Sequence, residues 1–368
     1  MDHKENNTQK NTGHTTMKKA LWGATALTLA ASTSFAGGID RSGQGVNILF
    51  EEGNFVQFTW SHVSPSVDGK NGVIGDSNDV LPSYNNASFG YKHEINENWD
   101  IALIYDQPFG AHVAYTNGPF TGGGADINSD ALTALLQYNF GNGFSVHAGA
   151  RALKVSGNIT SGLGLLDAGS DYDWGGVVGV AYEKPEIALR VALTYATAID
   201  SGFTGTNAAF PPGFQDRTFD VEFPESVNLD FQTGVAANTL VFGSIRWAGW
   251  GGFNLTTAED GQWVNFDDDT IAYSLGVGRQ VTDKLSLALQ LGYEKSGNRP
   301  TTTLLAPTTG SKSVGLGATY QVNEQLSISG GLTYALPGDQ YYEAAPGVNV
   351  EFNDSSAWGA GIRIGYRF

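Results

Sequence analysis

The side chains that could catalyse a reaction are few in this 368-residue chain, and none stands in a recognisable motif. The candidate general bases are His62, His93, His112 and His147. A hydrolase would need a serine nucleophile beside one of these rings and a third group to orient it, and no nucleophile motif surrounds any of the four. The glycine triplet 122–124 follows no strand-to-helix unit that could cradle a phosphate, so it indicates loop flexibility. We therefore predict that the protein is not an enzyme.

Two acidic segments could hold a divalent cation through carboxylate oxygens. One contains Asp267, Asp268 and Asp269, and the other pairs Asp171 with Asp173. Such segments are more typical of solvated loop ends, or of loops that share cations with lipopolysaccharide. We predict no metal site and no cofactor, with membrane lipid and lipopolysaccharide as the surroundings of the protein.

Aromatic side chains are concentrated in two long segments. Segment 197–223 contains Phe203, Phe210, Phe214, Phe219 and Phe223, and segment 107–128 contains Phe109, Val113, Tyr115 and Phe120. The loops of a pore for sugars or ions would not need so many phenyl rings, since exposed apolar patches favour association. Two compatible interpretations stay open: a landing site for an apolar ligand, or a cap in which the rings only pack the loops together. The candidate ligand-contacting residues are Phe109, Val113, Phe120, Phe203, Phe210 and Phe214.

The elements that must position these residues are fourteen candidate strands with alternating apolar and small or polar residues. They are 54–64, 84–95, 99–106, 129–140, 144–155, 173–182, 187–196, 224–236, 239–253, 269–280, 285–296, 312–322, 326–335 and 356–368. Most have a length that suits tilted membrane-spanning strands of about 9–11 residues.

The connections between these strands alternate in length. Tight turns rich in turn-forming residues lie at 96–98, 141–143, 183–186, 237–238, 281–284 and 323–324. Long loops lie at 65–83, 107–128, 156–172, 197–223, 254–268, 297–311 and 336–355. A meander barrel shows this pattern when one end faces the periplasm and the other faces the outside. We therefore predict an all-β protein, a transmembrane antiparallel β-barrel of about 14 strands with short periplasmic turns and long extracellular loops.

Alternation along individual strands assigns the two faces of the wall. In segment 285–294 the odd positions are Leu or Tyr and would meet lipid, whereas the even positions, including Gln290 and Glu294, would face the lumen. The same parity turns five arginines inward, namely Arg151, Arg190, Arg246, Arg363 and Arg367. Most are expected to form salt bridges that hold the wall. Arg151, Arg190 and Arg246 are also candidates for pairing with the carboxylate of a ligand.

The final segment, 356–368, is predicted to close the barrel. Its even positions from Trp358 to Phe368 are apolar or aromatic, and its odd positions from Gly359 onward are Gly or Arg. A strand that closes a barrel in lipid leaves no unpaired edge. A terminal aromatic residue in this pattern also resembles the signal by which outer-membrane barrels are recognised for assembly, so we expect the barrel assembly machinery as a partner.

The N-terminus and the charge of the chain indicate export. Residues 17–36 have the features of a signal peptide, with Lys18 and Lys19, an apolar stretch and a small-x-small site that ends at Ala36. We interpret residues 1–16 as an upstream extension, 37–53 as a short N-terminal segment and 54–368 as the barrel. The net charge of −17 argues against nucleic acid as a partner, because phosphates would be repelled.

Three short motifs resemble those of a known family. Pro108-Phe109-Gly110 follows the third strand, Phe-Pro-Glu-Ser at 223–226 leads into the eighth, and Trp247-x-x-Trp250-x-x-Phe253 lies in the ninth. Together with fourteen strands and a terminal Phe, they are similar to the FadL-type long-chain fatty-acid and hydrocarbon transporters of the Gram-negative outer membrane. The resemblance covers nearly all of residues 37–368.

This resemblance implies that a hydrophobic molecule diffuses from an extracellular groove into the barrel and leaves sideways through the wall. The family's kinked third strand corresponds here to a lateral gate at Pro108, Phe109 and Gly110, with Phe109 and Val113 bordering the exit. The family also has an N-terminal plug. In this chain only residues 37–53 precede the first strand, and the family's Asn-Pro-Ala plug motif does not occur there, so this segment is plug-like but truncated.

The predicted function is passive uptake of hydrophobic compounds across the outer membrane of a Gram-negative bacterium, with long-chain fatty acids as the expected ligands. Two alternatives remain open at this point. One is a general diffusion porin for small polar solutes, and the other is a loop-based adhesin or interaction protein.

Overall fold

The computed structural model describes residues 39–368, so the predicted upstream extension and signal peptide lie outside the described residues. The strands in chain order are β1 (Phe55–Ser66), β2 (Asp68–Lys70), β3 (Asn78–Asp79), β4 (Tyr84–Glu94), β5 (Trp99–Asp106), β6 (Gly110–Ala114), β7 (Gly124–Asn139), β8 (Phe144–Ser161), β9 (Gly164–Ser170), β10 (Asp173–Lys184), β11 (Leu189–Ala196), β12 (Ile199–Asn207), β13 (Asp216–Phe223), β14 (Ser226–Ala236), β15 (Thr239–Ala248), β16 (Asn254–Thr257), β17 (Gly261–Asn265), β18 (Thr270–Gln280), β19 (Leu285–Glu294), β20 (Ser311–Gln321), β21 (Leu326–Pro337), β22 (Gln340–Ala345), β23 (Val348–Phe352) and β24 (Ser356–Arg367). Short 3-10 helices occur at Asn47–Phe50, Pro185–Ile187 and Trp250–Gly252. Within residues 39–368 no helix is both long enough and apolar enough to cross a membrane.

Fourteen of these strands form one closed antiparallel barrel. They are β1, β4, β5, β7, β8, β10, β11, β14, β15, β18, β19, β20, β21 and β24. Each pairs with the next barrel strand along the chain, and β1 also pairs with β24 from Phe55↔Arg367 to Ser66↔Ser356. Closure pairs the first barrel strand with the last, so no barrel strand has a whole edge unpaired. The predicted fold class is therefore confirmed, and each of the fourteen predicted segments overlaps one barrel strand.

The two faces of the wall carry different side chains. In β19, Leu287, Leu289 and Leu291 point outward and are exposed, whereas Gln290 and Glu294 on the other face are buried. The last strand alternates in the same way, with exposed apolar residues at its even positions. An outward apolar band and an inward polar face are what a barrel in a bilayer requires.

Several predicted extracellular loops contain strands. β7 and β8 are long, at 16 and 18 residues, and β9, β12 and β13 continue their sheet through pairs such as Asn158↔Asp167 and Phe203↔Phe219. The outward positions of β12 and β13 are polar, for example Asp200 and Glu222. These strands therefore lack the outward apolar stripe that identifies a lipid-facing strand in the sequence.

The ninth barrel strand, β15, is shorter than predicted. It ends at Ala248, and the chain then turns through Trp250–Gly252 and buries the Trp250 side chain completely. Burial of so large an apolar group stabilises the turn, so the chain leaves the wall here and enters the loop region.

Residues 39–53, which we call the luminal segment, run inside the barrel. Val46, Ile48 and Leu49 are buried against apolar residues of β5, β7, β10 and β11, namely Ala102, Ile104, Leu135, Val177 and Ala196. Burial of these three side chains removes apolar surface from water, which fixes the segment to one side of the lumen.

Candidate functional site

An apolar pocket lies among the extracellular strands and loops, and we call it the aromatic pocket. Its aromatic lining consists of Phe203, Phe219, Phe223, Phe253 and Phe266. Its aliphatic lining includes Ile39, Val155, Ile159, Leu166, Leu255 and Leu305. Phe203 stacks on Phe219 with ring centroids 5.2 Å apart, and Phe253 stacks on Phe266 at the same separation. Packed rings of this kind make a preformed apolar surface.

A second layer of aromatic residues supports the pocket from behind. The Phe109 ring lies 5.1 Å from that of Phe223 and 5.6 Å from that of Trp250. Trp250 contacts Phe253 and Phe266 as well. The residue that follows Pro108 at the end of the third barrel strand is thus packed directly onto the pocket wall.

The pocket is small. Its volume is about 60 Å³, and one water molecule needs roughly 10–15 Å³ on this measure. Roughly four to six water-sized groups would therefore fit, which corresponds to a single aromatic ring or a short alkyl chain.

The structure separates the residues that the sequence groups as ligand contacts. Phe203 lines the aromatic pocket and Phe109 backs it. Val113 and Phe120 pack instead in a separate cluster with Tyr115 and Phe352. Phe210 and Phe214 lie in the connection between β12 and β13, where both are exposed, Phe214 by 72%.

The pocket also contains residues that are not among the ligand contacts predicted from the sequence. Phe253 belongs to the motif around Trp250, so its contribution could have been inferred from that motif. Phe266 and Leu305 come from other loops, and Val155 and Ile159 lie in the extension of β8. The alternation of apolar residues in that extension was the available signal for the last two.

The barrel wall is interrupted beside the pocket. Strand β4 pairs with β5 only as far as Phe89↔Tyr105. Residues 84–88 of β4 still pair with β1 on one side, but within residues 39–368 no strand pairs with them on the other side. After Asp106 the chain resumes as β6, which pairs with β7 from Gly110↔Asn128 onward. Pro108 lies in the interruption, and it has no N–H to continue the ladder. We call the space between residues 84–88 and 107–110 the wall gap.

The wall gap is bridged by a side chain. Gln107 accepts a hydrogen bond through Oε1 from the Ala87 backbone N–H at 3.1 Å. Asn86 donates from Nδ2 to the Gln107 carbonyl at 3.5 Å. Side-chain bonds can break without disturbing a strand ladder, so this part of the wall is held less firmly than its neighbours.

The first residues of the luminal segment form hydrogen bonds with backbone groups at the wall gap from inside the barrel. The Arg41 N–H donates to the Pro108 carbonyl at 2.7 Å, and the Gly110 N–H donates to the Ile39 carbonyl at 2.8 Å. Lipid cannot satisfy such groups, so a break in a membrane wall needs partners of this kind.

Arg41 also places its guanidinium in the gap. The group lies 4.2 Å from the centre of the Tyr84 ring, a favourable cation–π distance. A side chain at position 110 would overlap the guanidinium, so a glycine is required there for Arg41 to lie where it does.

The three arginines considered as ligand partners contact the luminal segment. Arg246 donates to one carboxylate oxygen of Asp40 from Nε at 2.9 Å and from Nη2 at 2.6 Å. Arg151 donates from Nη1 to Gln44 Oε1. The Arg190 guanidinium lies 4.8 Å from the centre of the Phe50 ring. All three therefore hold the luminal segment in place, and a ligand carboxylate would have to compete with it.

A buried ion pair joins two of the loops above the barrel. Arg217 of β13 donates to Asp260 through two parallel hydrogen bonds of 2.7 and 2.8 Å, and Thr257 donates to the same carboxylate. The bonds from Arg217 lower the pKa of the Asp260 carboxyl below its ordinary value. This pair connects β13 to the loop between β16 and β17. All three strands contribute lining residues to the aromatic pocket.

The other candidate chemical groups are dispersed or satisfied. Asp268 accepts a hydrogen bond from the Asn298 backbone, and Asp269 accepts from Trp247 Nε1. Between residues 39 and 368 no group of three or more His, Cys, Asp or Glu side chains is arranged to hold a metal ion.

The fold and the site define a class of protein: an outer-membrane β-barrel for the transport of hydrophobic compounds. The family model described as "Outer membrane protein transport protein (OMPP1/FadL/TodX)" matches residues 51–368. The chain belongs to this family, as the resemblance in its motifs predicted.

Solved structures show the same fold at low sequence identity. A FadL homologue from Pseudomonas aeruginosa is 14% identical with a TM-score of 0.73, over 93% of this chain and 98% of the homologue. The toluene transporter TodX of Pseudomonas putida (13% identity, TM-score 0.65) and the toluene transporter TbuX of Ralstonia pickettii (12%, 0.61) are covered to the same extents, 93% and 98%. None of the curated proteins with which the sequence was compared matches it.

Proposed function

We propose that this protein takes up small apolar molecules, of the size of one aromatic ring or a short alkyl chain, by binding them in the aromatic pocket and releasing them sideways through the wall gap. The observation that carries this proposal is the aromatic pocket itself, which is lined almost entirely by apolar side chains. A general porin for sugars has no use for such a site, since polar solutes gain nothing from an apolar lining.

The position of the pocket supports the second step. Ile39 and Ala111 line the pocket. Ile39 is the first residue of the luminal segment, and Ala111 directly follows residues 107–110, which border the wall gap. An apolar molecule that leaves through the gap passes only the gap end of the polar lumen, which Ala87 and Gln107 also line, and not its full length. Exposure to water would cost about 0.8 kcal/mol for each methylene, so the sideways route is favoured energetically.

Long-chain fatty acids are the second candidate ligands. A cavity of about 170 Å³ lies beside the aromatic pocket, with which it shares Ile39 and Phe266, and it is also lined by Arg41 and Lys295. These cations could pair with a carboxylate while the acyl chain extends into the apolar part. The names of the similar solved structures leave both candidates in place, since they describe a FadL homologue and toluene transporters.

A pocket-filling variant tests the proposal. Ala168 lines the pocket, so Ala168→Phe should occupy the space for a ligand and slow the uptake of labelled toluene by cells that depend on this protein. The matched control is Leu165→Phe, on the same strand with an exposed side chain, which should leave uptake unchanged. Barrel assembly in both variants is checked by the heat-dependent shift in gel mobility.

The alternatives give different results in the same cells. If labelled long-chain fatty acid responds to Ala168→Phe and toluene does not, the fatty-acid candidate replaces the first. If removal of the protein slows only sugar uptake, the protein is a porin. If it slows none of the three, an interaction protein is favoured.

A further inference from the structure

The luminal segment fills only one side of the barrel. Its buried side chains pack on β5, β7, β10 and β11. On the opposite side, β18–β21 and β24 present small or polar residues to the lumen, for example Ser274, Gly292, Ser313, Gly315 and Gly361. Small side chains on the side that faces away from the segment leave space beside it.

That space is a large cavity, and most of the residues that line it have polar side chains. Its volume is about 290 Å³, and Thr59, Asn86, Ser244, Gln290 and Ser313 are among the residues that line it. By the measure of roughly 10–15 Å³ for each water molecule, it has room for roughly twenty to thirty. It shares no lining residue with the aromatic pocket, so the two spaces are distinct.

Two further cavities continue this space toward both ends of the barrel. The extracellular one is the cavity of about 170 Å³ that adjoins the aromatic pocket, and it shares Arg41, Tyr84, Thr270 and Glu294 with the central cavity. The periplasmic one, of only about 20 Å³, shares Arg363 with it and is also lined by Gln321 and Gln325 near a periplasmic turn. The three cavities thus follow one another along the barrel. The smallest is the periplasmic one, which meets the central cavity at Arg363.

We propose that the barrel contains a second, polar passage beside the luminal segment that conducts water and small inorganic ions. The side chain of Arg363 lines both the central and the periplasmic cavity, so it stands at the narrow end of the passage and sets the size limit there. Acidic and basic side chains line the central cavity in equal number, with Asp40, Asp106, Asp230 and Glu294 against Arg41, Arg190, Arg246 and Arg363, so its wall repels neither sign of ion.

The test is the electrical conductance of the purified full-length protein in planar lipid bilayers bathed in potassium chloride. The native protein should give a small, steady conductance. Ser313→Trp places an indole in the central cavity and should abolish it. The matched control is Leu316→Trp on the same strand, where the native side chain is 61% exposed toward lipid, and it should conduct like the native protein.

A second variant is expected to raise the conductance, which a misfolded protein would not do. Arg363→Ser widens the narrow end, so it should conduct more than the native protein. Toluene uptake should be unchanged in Ser313→Trp, which separates this inference from the proposed function. The inference is overturned if the native protein conducts no more than Ser313→Trp, or if Arg363→Ser leaves the conductance at the native level.

Discussion

The ion pair between Asp40 and Arg246 is predicted to hold the luminal segment at the wall gap. The carboxylate side chain is only 4% exposed and accepts two hydrogen bonds from the guanidinium. Loss of one partner of a buried pair costs about 3–5 kcal/mol. Asp40→Asn keeps the shape of the side chain and one acceptor, so we expect the smaller cost of about 2 kcal/mol that is typical of a hydrogen bond to a charged group.

A cost of about 2 kcal/mol corresponds to a roughly 30-fold rise in the open population of the luminal segment. Hydrogen exchange followed by mass spectrometry on the protein in detergent measures this directly. Exchange should accelerate in residues 39–46, while the barrel strands keep their native protection. The gel-mobility shift should be that of a fully assembled barrel.

The matched control for Asp40→Asn is Asp260→Asn. It also removes the charge from a buried Asp–Arg pair, but in the loops, so it should accelerate exchange around residues 214–223 and 254–263 and leave residues 39–46 unchanged. If Asp260→Asn shows its local effect and Asp40→Asn shows none, Arg246 does not hold the segment and the reasoning is refuted.

Three further results are expected. Gly110→Ala should displace the flexible end of Arg41 from the wall gap and speed toluene uptake without affecting assembly; an unchanged rate would show that Arg41 does not obstruct the exit. Phe223→Ala should destabilise the loop region by about 3 kcal/mol, because Phe223 is 2% exposed. An unchanged melting temperature together with unchanged hydrogen exchange in the loops would contradict this. The pKa of Asp260 is lowered in the folded state, so its contribution to loop stability is complete above the ordinary aspartate pKa of about 3.9 and is lost as the pH falls below that value. Loop exchange should therefore accelerate only below about pH 4 in the native protein, and Asp260→Asn, which cannot titrate, should lack that acid step.

The barrel strands could be predicted because each of them meets two different environments. Leu289 faces lipid and Gln290 faces the lumen, so apolar and polar residues alternate along the strand and the sequence shows this two-residue period. The hairpin of β12 and β13 is a strand pair too, but its outer residues Asp200 and Glu222 face water. Its sequence then resembles that of an ordinary loop with scattered phenylalanines, so a loop is predicted there.

The candidate site could be predicted only in outline. Pro108 marks the break in the wall because its missing N–H is a local property. The partner of Arg246 is Asp40, 206 residues away in the chain, and no local pattern connects them. The aromatic pocket likewise draws on Phe203, Phe253 and Leu305 from separate loops, so its membership depends on tertiary packing.

The central claim is that apolar molecules leave through the wall gap, and reversible closure of the gap tests it most directly. The chain contains no Cys, so a cysteine pair at Ala87 and Gln107 can be bridged by a short bis-thiosulfonate reagent and released with a reductant. A control pair at Phe89 and Tyr105 bridges strands that are already paired.

Bridging positions 87 and 107 should stop toluene uptake, reduction should restore it, and the control pair should have no effect in either state. Equal uptake by the bridged and reduced forms of the first pair would contradict it.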